Sequence, residues 1–99
     1  MQFLLVAYDA TDAEAPMRRL AARPEHLALV GKNKAAGHAH FGAALMENDK
    51  MVGSMMVVEY PDREALEAWL NEEPYVLQDV WDDISINECK IAPPFLKKA

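Results

Sequence analysis

The sequence predicts an α+β fold, a four-stranded antiparallel sheet with its helices gathered on one face. Three observations carry this expectation. Short apolar runs and helix-forming stretches follow one another in the order β-α-β-β-α-β. The two middle runs are separated only by Asn48-Asp49-Lys50, which suits a hairpin and makes that pair antiparallel. The chain has 99 residues, 52% of them hydrophobic and 26% charged, which fits one folded core and excludes global disorder, so a single domain over 1–99 is expected.

The first strand is the apolar run 3–8, with aromatic and β-branched members, closed by the turn chemistry of Asp9-Ala10-Thr11-Asp12. From 13 to 36 the pattern is helical. Proline is expelled from helix interiors but welcome in a first turn, so Pro24 predicts a short helix near 13–21 and a longer one starting near Arg23-Pro24. Gly37, after Lys32 and Lys34, is placed to close it. Residues 39–47 and 51–60 are the hairpin strands. Pro61-Asp62-Arg63-Glu64 opens the next helix, with Asp62 as cap and Glu64 in the first turn, where the helix dipole favours an acid. Its stripe of Ala65, Leu66, Trp69 and Leu70 must face the core, and Pro74 ends it. A turn or short helix over 74–80 leads to a last strand over 82–91, before Pro93-Pro94 and a basic tail. This order is the ferredoxin-like, split βαβ arrangement.

The strand faces bear on assembly. Leu4 and Val6 point opposite to Phe3, Leu5 and Ala7, while Met55 and Val57 point opposite to Val52, Met56 and Val58. Both faces are apolar, yet helices can cover only one. A second copy packed sheet to sheet is the smallest way to cover the other, which predicts a homodimer enclosing a barrel-like core.

A net charge of -6 offers no footprint for a nucleic acid backbone or an anionic membrane, so neither is expected as a partner. Cys89 is the sole cysteine, which excludes an internal disulfide and a zinc-ribbon spacing. The apolar start, Met1 to Tyr8, lacks the basic flank and cleavage region of a signal peptide and is far shorter than the roughly 20 residues of a membrane helix. A cytoplasmic location is expected.

Glu73 continues the Leu66, Trp69, Leu70 stripe, which aims its carboxylate along the buried side where Pro74 stops the helix. An acid there is costly unless paired. A frayed last turn would instead leave it in water beside Glu72. His26, just past Pro24-Glu25, falls at a helix N-terminus, where the dipole disfavours imidazolium and leaves the neutral ring that a general base needs. The alternative is a half-exposed helical histidine without duty. His38 and His40 form an H-x-H whose rings would share a face on a strand, but no third ligand is set, so no metal is expected. The methionines around the hairpin, Met46, Met51, Met55 and Met56, read as filler of the core or of the dimer. Ser54, directly after Gly53, could donate to a ligand. There is no GxSxG elbow, P-loop or GxGxxG, so covalent hydrolase, nucleotide-phosphate and dinucleotide chemistry lose support. Asp82-Asp83 and Glu72-Glu73 are adjacent carboxylates, and on a strand neighbours diverge, so no glycosidase couple is implied.

At Arg23-Pro24-Glu25-His26-Leu27, then Val52-Gly53-Ser54, then Glu73-Pro74-Tyr75, the chain resembles the YciI family (YCII-related domain) over nearly its whole length. The resemblance implies a ferredoxin-like fold paired into a dimeric α+β barrel, similar in architecture to muconolactone isomerases and a chlorohydroxyhydroquinone dehydrochlorinase. It also implies a His-Asp dyad in a pocket. The family's histidine matches His26, and its aspartate, usually in D-P-Y, matches Glu73, a carboxylate one methylene longer. Gly42-Ala43 stands where the family tends to have Gly-Pro, and Val76-Leu77-Gln78-Asp79 lacks the glycine that often follows P-Y.

Taken together, the residues and the resemblance imply a cofactor-independent acid–base enzyme, an isomerase or dehydrochlorinase-type lyase acting on a small cyclic or aromatic-derived metabolite. His26 moves the proton, and Glu73 fixes the imidazole tautomer. Tyr8, Arg23, Ser54 and Tyr75 line the pocket, with Arg23 offering a fork for a substrate carboxylate. The alternatives are a dimeric module that binds a small-molecule ligand without turnover and a purely structural dimer.

Overall fold

In the computed structural model, which describes residues 1–96, strand β1 (Gln2–Asp9) runs between two antiparallel neighbours. Helix α1 (Ala15–Ala35), strands β2 (Ala39–Glu47) and β3 (Lys50–Glu59), helices α2 (Arg63–Leu70) and α3 (Pro74–Leu77) and strand β4 (Trp81–Cys89) follow, with a 3₁₀ turn at Pro93–Phe95. The sheet order is β2-β3-β1-β4. The fold is the expected ferredoxin-like α+β arrangement. The basic tail at Lys97 and Lys98 lies outside the described residues.

The expected break of the first helix does not occur. Pro24 sits inside one helix of 21 residues, and the proline in its first turn is Pro16. A proline within a helix forfeits one hydrogen bond and crowds the carbonyl four residues back, at about 3 kcal/mol. Here Pro24 is exposed, while Ala15, Arg19, Ala22 and His26 form one buried face that runs straight past it. Those residues recur at helical spacing on both sides of the proline, so burial of a common face outweighs the local defect. The end of the helix is as expected. Gly37 takes the left-handed conformation (φ 85°), and the His38 N–H donates to the Asn33 carbonyl, the Schellman closure.

The hairpin is tighter than expected. Asn48 and Asp49 alone form the loop, both at positive φ (52° and 65°), and Lys50 already pairs with Glu47. This is the two-residue turn whose twist matches the flanking strands. Asp62 caps α2 by accepting from the Ala65 N–H, and Leu66 and Trp69 are buried beneath it. The last strand begins at Trp81, one residue before expectation.

Register assigns the faces. Phe3, Leu5 and Ala7 pair with Val58, Met56 and Ser54 on the side that the helices cover. Leu66, Trp69, Tyr75 and Val80 complete that core. On the opposite side Leu4 and Val6 face Val57 and Met55, and Phe41, 61% exposed, joins them from β2. The β4 positions on that side are Asp83, Ser85 and Asn87, so the apolar patch is centred on β2, β3 and β1. Met56 lies in the core, whereas Met46 and Met51 are exposed beside the hairpin turn. Among the described residues, no helix is long and apolar enough to cross a membrane.

Candidate functional site

His26 owes its position to the buried face of α1. It lies seven residues after Arg19 and four after Ala22, which turns its ring under the helix toward the sheet, and it is 8% exposed. Because α1 is continuous, His26 is a mid-helix residue and not an N-terminal one. The dipole argument for a neutral imidazole therefore does not apply, and the ring's surroundings set its state instead.

Those surroundings are built by the junction of α2 and α3. Helix α2 ends at Leu70, and Glu73 becomes the N-cap of α3 with Pro74 in the first helical position. The Glu73 side chain is wholly buried, so the frayed, solvated alternative is not what forms. Its Oε1 accepts from the Tyr75 N–H at 3.2 Å and lies 2.5 Å from His26 Nδ1. Glu73 Oε2 is buried with no partner among the described residues. A carboxylate in this position can accept from an Nδ1–H, and the contact leaves Nε2 as the ring nitrogen not engaged by Glu73. Tyr75 stacks on the imidazole at 3.9 Å, and Trp81 meets it edge-on at 6.0 Å. One hydrogen bond and two aromatic contacts thus fix the ring.

Beside this pair lies a second buried group. Arg19 Nη1 donates to both Asp9 carboxylate oxygens at 2.9 Å, and Nη2 donates to the Gly53 carbonyl and to Ser54 Oγ at 3.1 Å each. The guanidinium lies 4.8 Å over the Tyr75 ring. Trp81 Nε1 also donates to Ser54 Oγ at 3.1 Å. Burial pushes the Asp9 carboxyl up from the ordinary carboxylate range, and Arg19 only partly opposes this. Burial likewise pushes the Tyr75 phenol up against the pull of Arg19 and Arg23, so Tyr75 is a neutral phenol at physiological pH.

His26, Arg19, Arg23, Ser54 and Tyr75 line one cleft of about 240 Å³ between α1 and the β2-β3 pair. It is smaller than the roughly 300–1,000 Å³ of drug-sized sites. The structure brings together five of the six residues singled out from sequence: His26, Glu73, Arg23, Ser54 and Tyr75. Tyr8 stands apart. It is 51% exposed on the open side of the sheet and borders a neighbouring groove of about 760 Å³, which shares Arg19 and Arg23 with the cleft. Sequence reasoning missed Arg19, Asp9 and Trp81. The spacing of Arg19, Ala22 and His26 would have found Arg19 had Pro24 not been taken as a helix boundary.

The H-x-H pair does not share a face. His38 precedes β2, and the register shifts between Ala39 and Phe41, so His40 sits in an irregularity of the strand. His38 Nδ1 pairs with the Glu59 carbonyl at 3.1 Å, and His40 Nε2 lies 2.5 Å from Glu59 Oε1. The His40 bond holds the Glu59 carboxyl below its usual range. Among the described residues, no group of three or more His, Cys, Asp or Glu is arranged to hold a metal ion.

The family model described as YCII-related domain matches residues 1–90. Protein YciI of Escherichia coli and Protein YciI of Shigella flexneri are each 31% identical to this chain, across 88% of it and 96% of the relative. Among solved structures, the 5-chloro-2-hydroxyhydroquinone dehydrochlorinase of Burkholderia phenoliruptrix, in complex with 2,5-dihydroxybenzoquinone, superimposes with a TM-score of 0.79 at 17% identity. That match covers 93% of this chain and 96% of the dehydrochlorinase. SnoaB, a cofactor-independent oxygenase of Streptomyces nogalater, superimposes with a TM-score of 0.50 at 13% identity, covering 94% of this chain and 95% of the oxygenase. At these identities the two structures show a shared fold.

Proposed function

The chain belongs to the YCII-related domain family, and from that footing we propose that it is an acid–base enzyme that moves a proton on a small oxygenated ring compound, by isomerisation or by elimination of a leaving group. His26 Nε2 is the proton-transfer atom. Glu73 holds the imidazole in the tautomer that leaves Nε2 free, the arrangement by which a carboxylate orients a general base. Such assistance is worth roughly 10²–10⁴ in rate.

The observation that carries this is the 2.5 Å contact between His26 Nδ1 and a fully buried Glu73 beside a cleft of ring size. The substrate class is supported by the dehydrochlorinase, which shares the fold and holds a dihydroxybenzoquinone. Arg23 lines the same cleft and would meet an anionic oxygen of such a compound with a fork of donors. The protein would act in the cytoplasm as a homodimer. That pairing is supported by the uncovered patch of Leu4, Val6, Phe41, Met55 and Val57, and sedimentation at micromolar concentration tests it.

Nitrogen-15 NMR of the imidazole tests the assignment. The expected spectrum has a protonated Nδ1 and an unprotonated Nε2 that responds to added 2,5-dihydroxybenzoquinone, and Glu73→Gln changes the ring's titration. A ring protonated on Nε2, or one that titrates identically in both proteins, would leave the cleft as a binding site and remove the enzyme.

A further inference from the structure

Ser54 is held by its neighbours in a state that the dyad does not require. A serine hydroxyl has two lone pairs and one proton. Both donors that reach Ser54 Oγ, Arg19 Nη2 and Trp81 Nε1, are groups that can never accept, and each lies 3.1 Å away. Two donors use the two lone pairs, so the hydroxyl proton is the hydrogen-bonding capacity that remains, and no acceptor for it is found among the described residues. Ser54 is 4% exposed and lines the cleft with His26, so a ligand there meets a buried proton donor that cannot reverse its role.

The guanidinium also matters electrostatically. A cation donating to the hydroxyl oxygen draws charge from it and strengthens the opposite O–H as a donor, more so in a site sheltered from water. Arg19 is itself immobilised by both oxygens of Asp9 and by the Gly53 carbonyl, so the arrangement exists before any ligand arrives. Donors fixed in advance where negative charge develops are what stabilise an oxyanion.

We propose that Ser54 binds the carbonyl oxygen of the substrate and stabilises the enolate formed when His26 removes the neighbouring proton, which narrows the substrate to ring compounds bearing an acidic C–H beside a carbonyl. This rests on the assignment of His26 as the base. In the step, His26 Nε2 takes the proton from carbon. The C–H electron pair becomes the new C=C bond, and the carbonyl π pair moves onto oxygen, where Ser54 Oγ–H donates to it. Return of the proton from His26 to a different atom of the enolate completes an isomerisation. In an elimination the oxyanion's pair re-forms the C=O bond, the enolate C=C pair becomes the new double bond to the adjacent carbon, and the leaving group departs from that carbon with the pair of its own bond. Arg19 and Trp81 are positioning residues in this scheme, acting only through the hydroxyl.

The test reads the hydrogen bond directly and needs no turnover. The carbonyl stretch of bound 2-cyclohexen-1-one is measured by infrared difference spectroscopy in the wild-type chain, in Ser54→Ala and in His26→Gln. The expected result is a bound band below the frequency of the probe in water, present in the wild type and in His26→Gln and absent in Ser54→Ala, whose affinity falls about tenfold. Trp81→Phe keeps the hydroxyl while releasing one of its lone pairs, so the shift should shrink without vanishing. That variant carries the test if Ser54→Ala fails to fold. A wild-type spectrum with no shifted band overturns the proposal, as does a shift that survives in Ser54→Ala or is unchanged in Trp81→Phe. A Ser54-dependent shift in a protein whose His26 fails the tautomer test supports the donor and sinks only the base, so the two failures are distinguishable.

Discussion

Replacing Glu73 with alanine removes the only acceptor that His26 Nδ1 and the Tyr75 N–H have among the described residues. Both donors sit where Glu73 is 0% exposed, so water cannot take its place without a rearrangement. Leaving a buried donor unsatisfied costs about 1–3 kcal/mol, and breaking a buried pair by deleting one partner costs about 3–5 kcal/mol. A loss of about 3–5 kcal/mol is therefore expected, a large share of the roughly 5–15 kcal/mol that holds a domain folded. With a urea m-value of about 1–2 kcal/mol/M, the unfolding midpoint drops by about 1.5–5 M. Glu73→Gln should lose less, because it keeps an acceptor in the Oε1 position and places its amide where Oε2 has no partner. Glu73→Asp, the residue usual in the family, withdraws the carboxylate by about one bond length, ~1.5 Å, and should fall between the two. Urea unfolding followed by circular dichroism at one fixed protomer concentration measures all three, with His26→Ala completing a double-mutant cycle. The expected coupling is about 1–3 kcal/mol. If Glu73→Ala unfolds within about 0.5 kcal/mol of the wild type, or the cycle is additive, the buried pair contributes nothing and the description of the junction fails.

Three further outcomes follow from the packing. A Cβ added at Gly53 would lie 2.4 Å from the Ala7 carbonyl oxygen, which strands β1 and β3 cannot relieve without separating, so Gly53→Ala should cost about 1–3 kcal/mol or more and lower Tm by at least ~5 °C in calorimetry. Gly42→Ala meets nothing closer than 3.6 Å and should melt with the wild type. Arg19→Met leaves the Asp9 carboxyl buried and unpaired, and about 3–5 kcal/mol should be lost at pH 7. The pH dependence has a definite sign. Asp9 already has a raised folded pKa, and losing Arg19 raises it further, so the variant gains stability on acidification from a higher pH than the wild type. Denaturant unfolding at pH 7 and pH 4 should thus show the deficit shrinking toward acid, and a deficit that widens would refute the pairing. Finally, Pro24→Ala restores an N–H in the middle of α1 on its exposed side and should stabilise the chain by about 1–3 kcal/mol in the same assay, while a loss would mean that the proline's restriction of the unfolded chain outweighs the missing bond.

Much of the fold was legible because its signals are local. The apolar run of β1, the Asp62 cap with its Leu66 and Trp69 stripe, and Gly37 closing α1 each act within one or two turns of chain, and each formed where expected. Pro24 was misjudged for the opposite reason. Its cost is local, but what outweighs it is a buried face extending from Ala15 to His26, whose energy depends on the sheet beneath. The H-x-H pair failed likewise, since the irregularity at His40 comes from pairing with β3 and not from its own segment.

For the site, residue types and order nominated His26 and Glu73, both visible along the chain, although α2 ends at Leu70, so Glu73 is buried as the N-cap of α3 and not on the expected helical stripe. Their meeting was not visible, as 47 positions separate them and only the packing of α1 against the α2–α3 junction closes the gap to 2.5 Å. Asp9 and Trp81 were invisible for the same reason, and Arg19 was hidden by the expected break at Pro24, since its spacing to Ala22 and His26 shows only on a continuous helix. Sequence determined which elements form and which faces are apolar, because helical and strand periodicity are properties of neighbouring residues. Tertiary structure decided which polar groups share an interior, because charges withdrawn from water must find partners wherever the fold places them, however far apart along the chain.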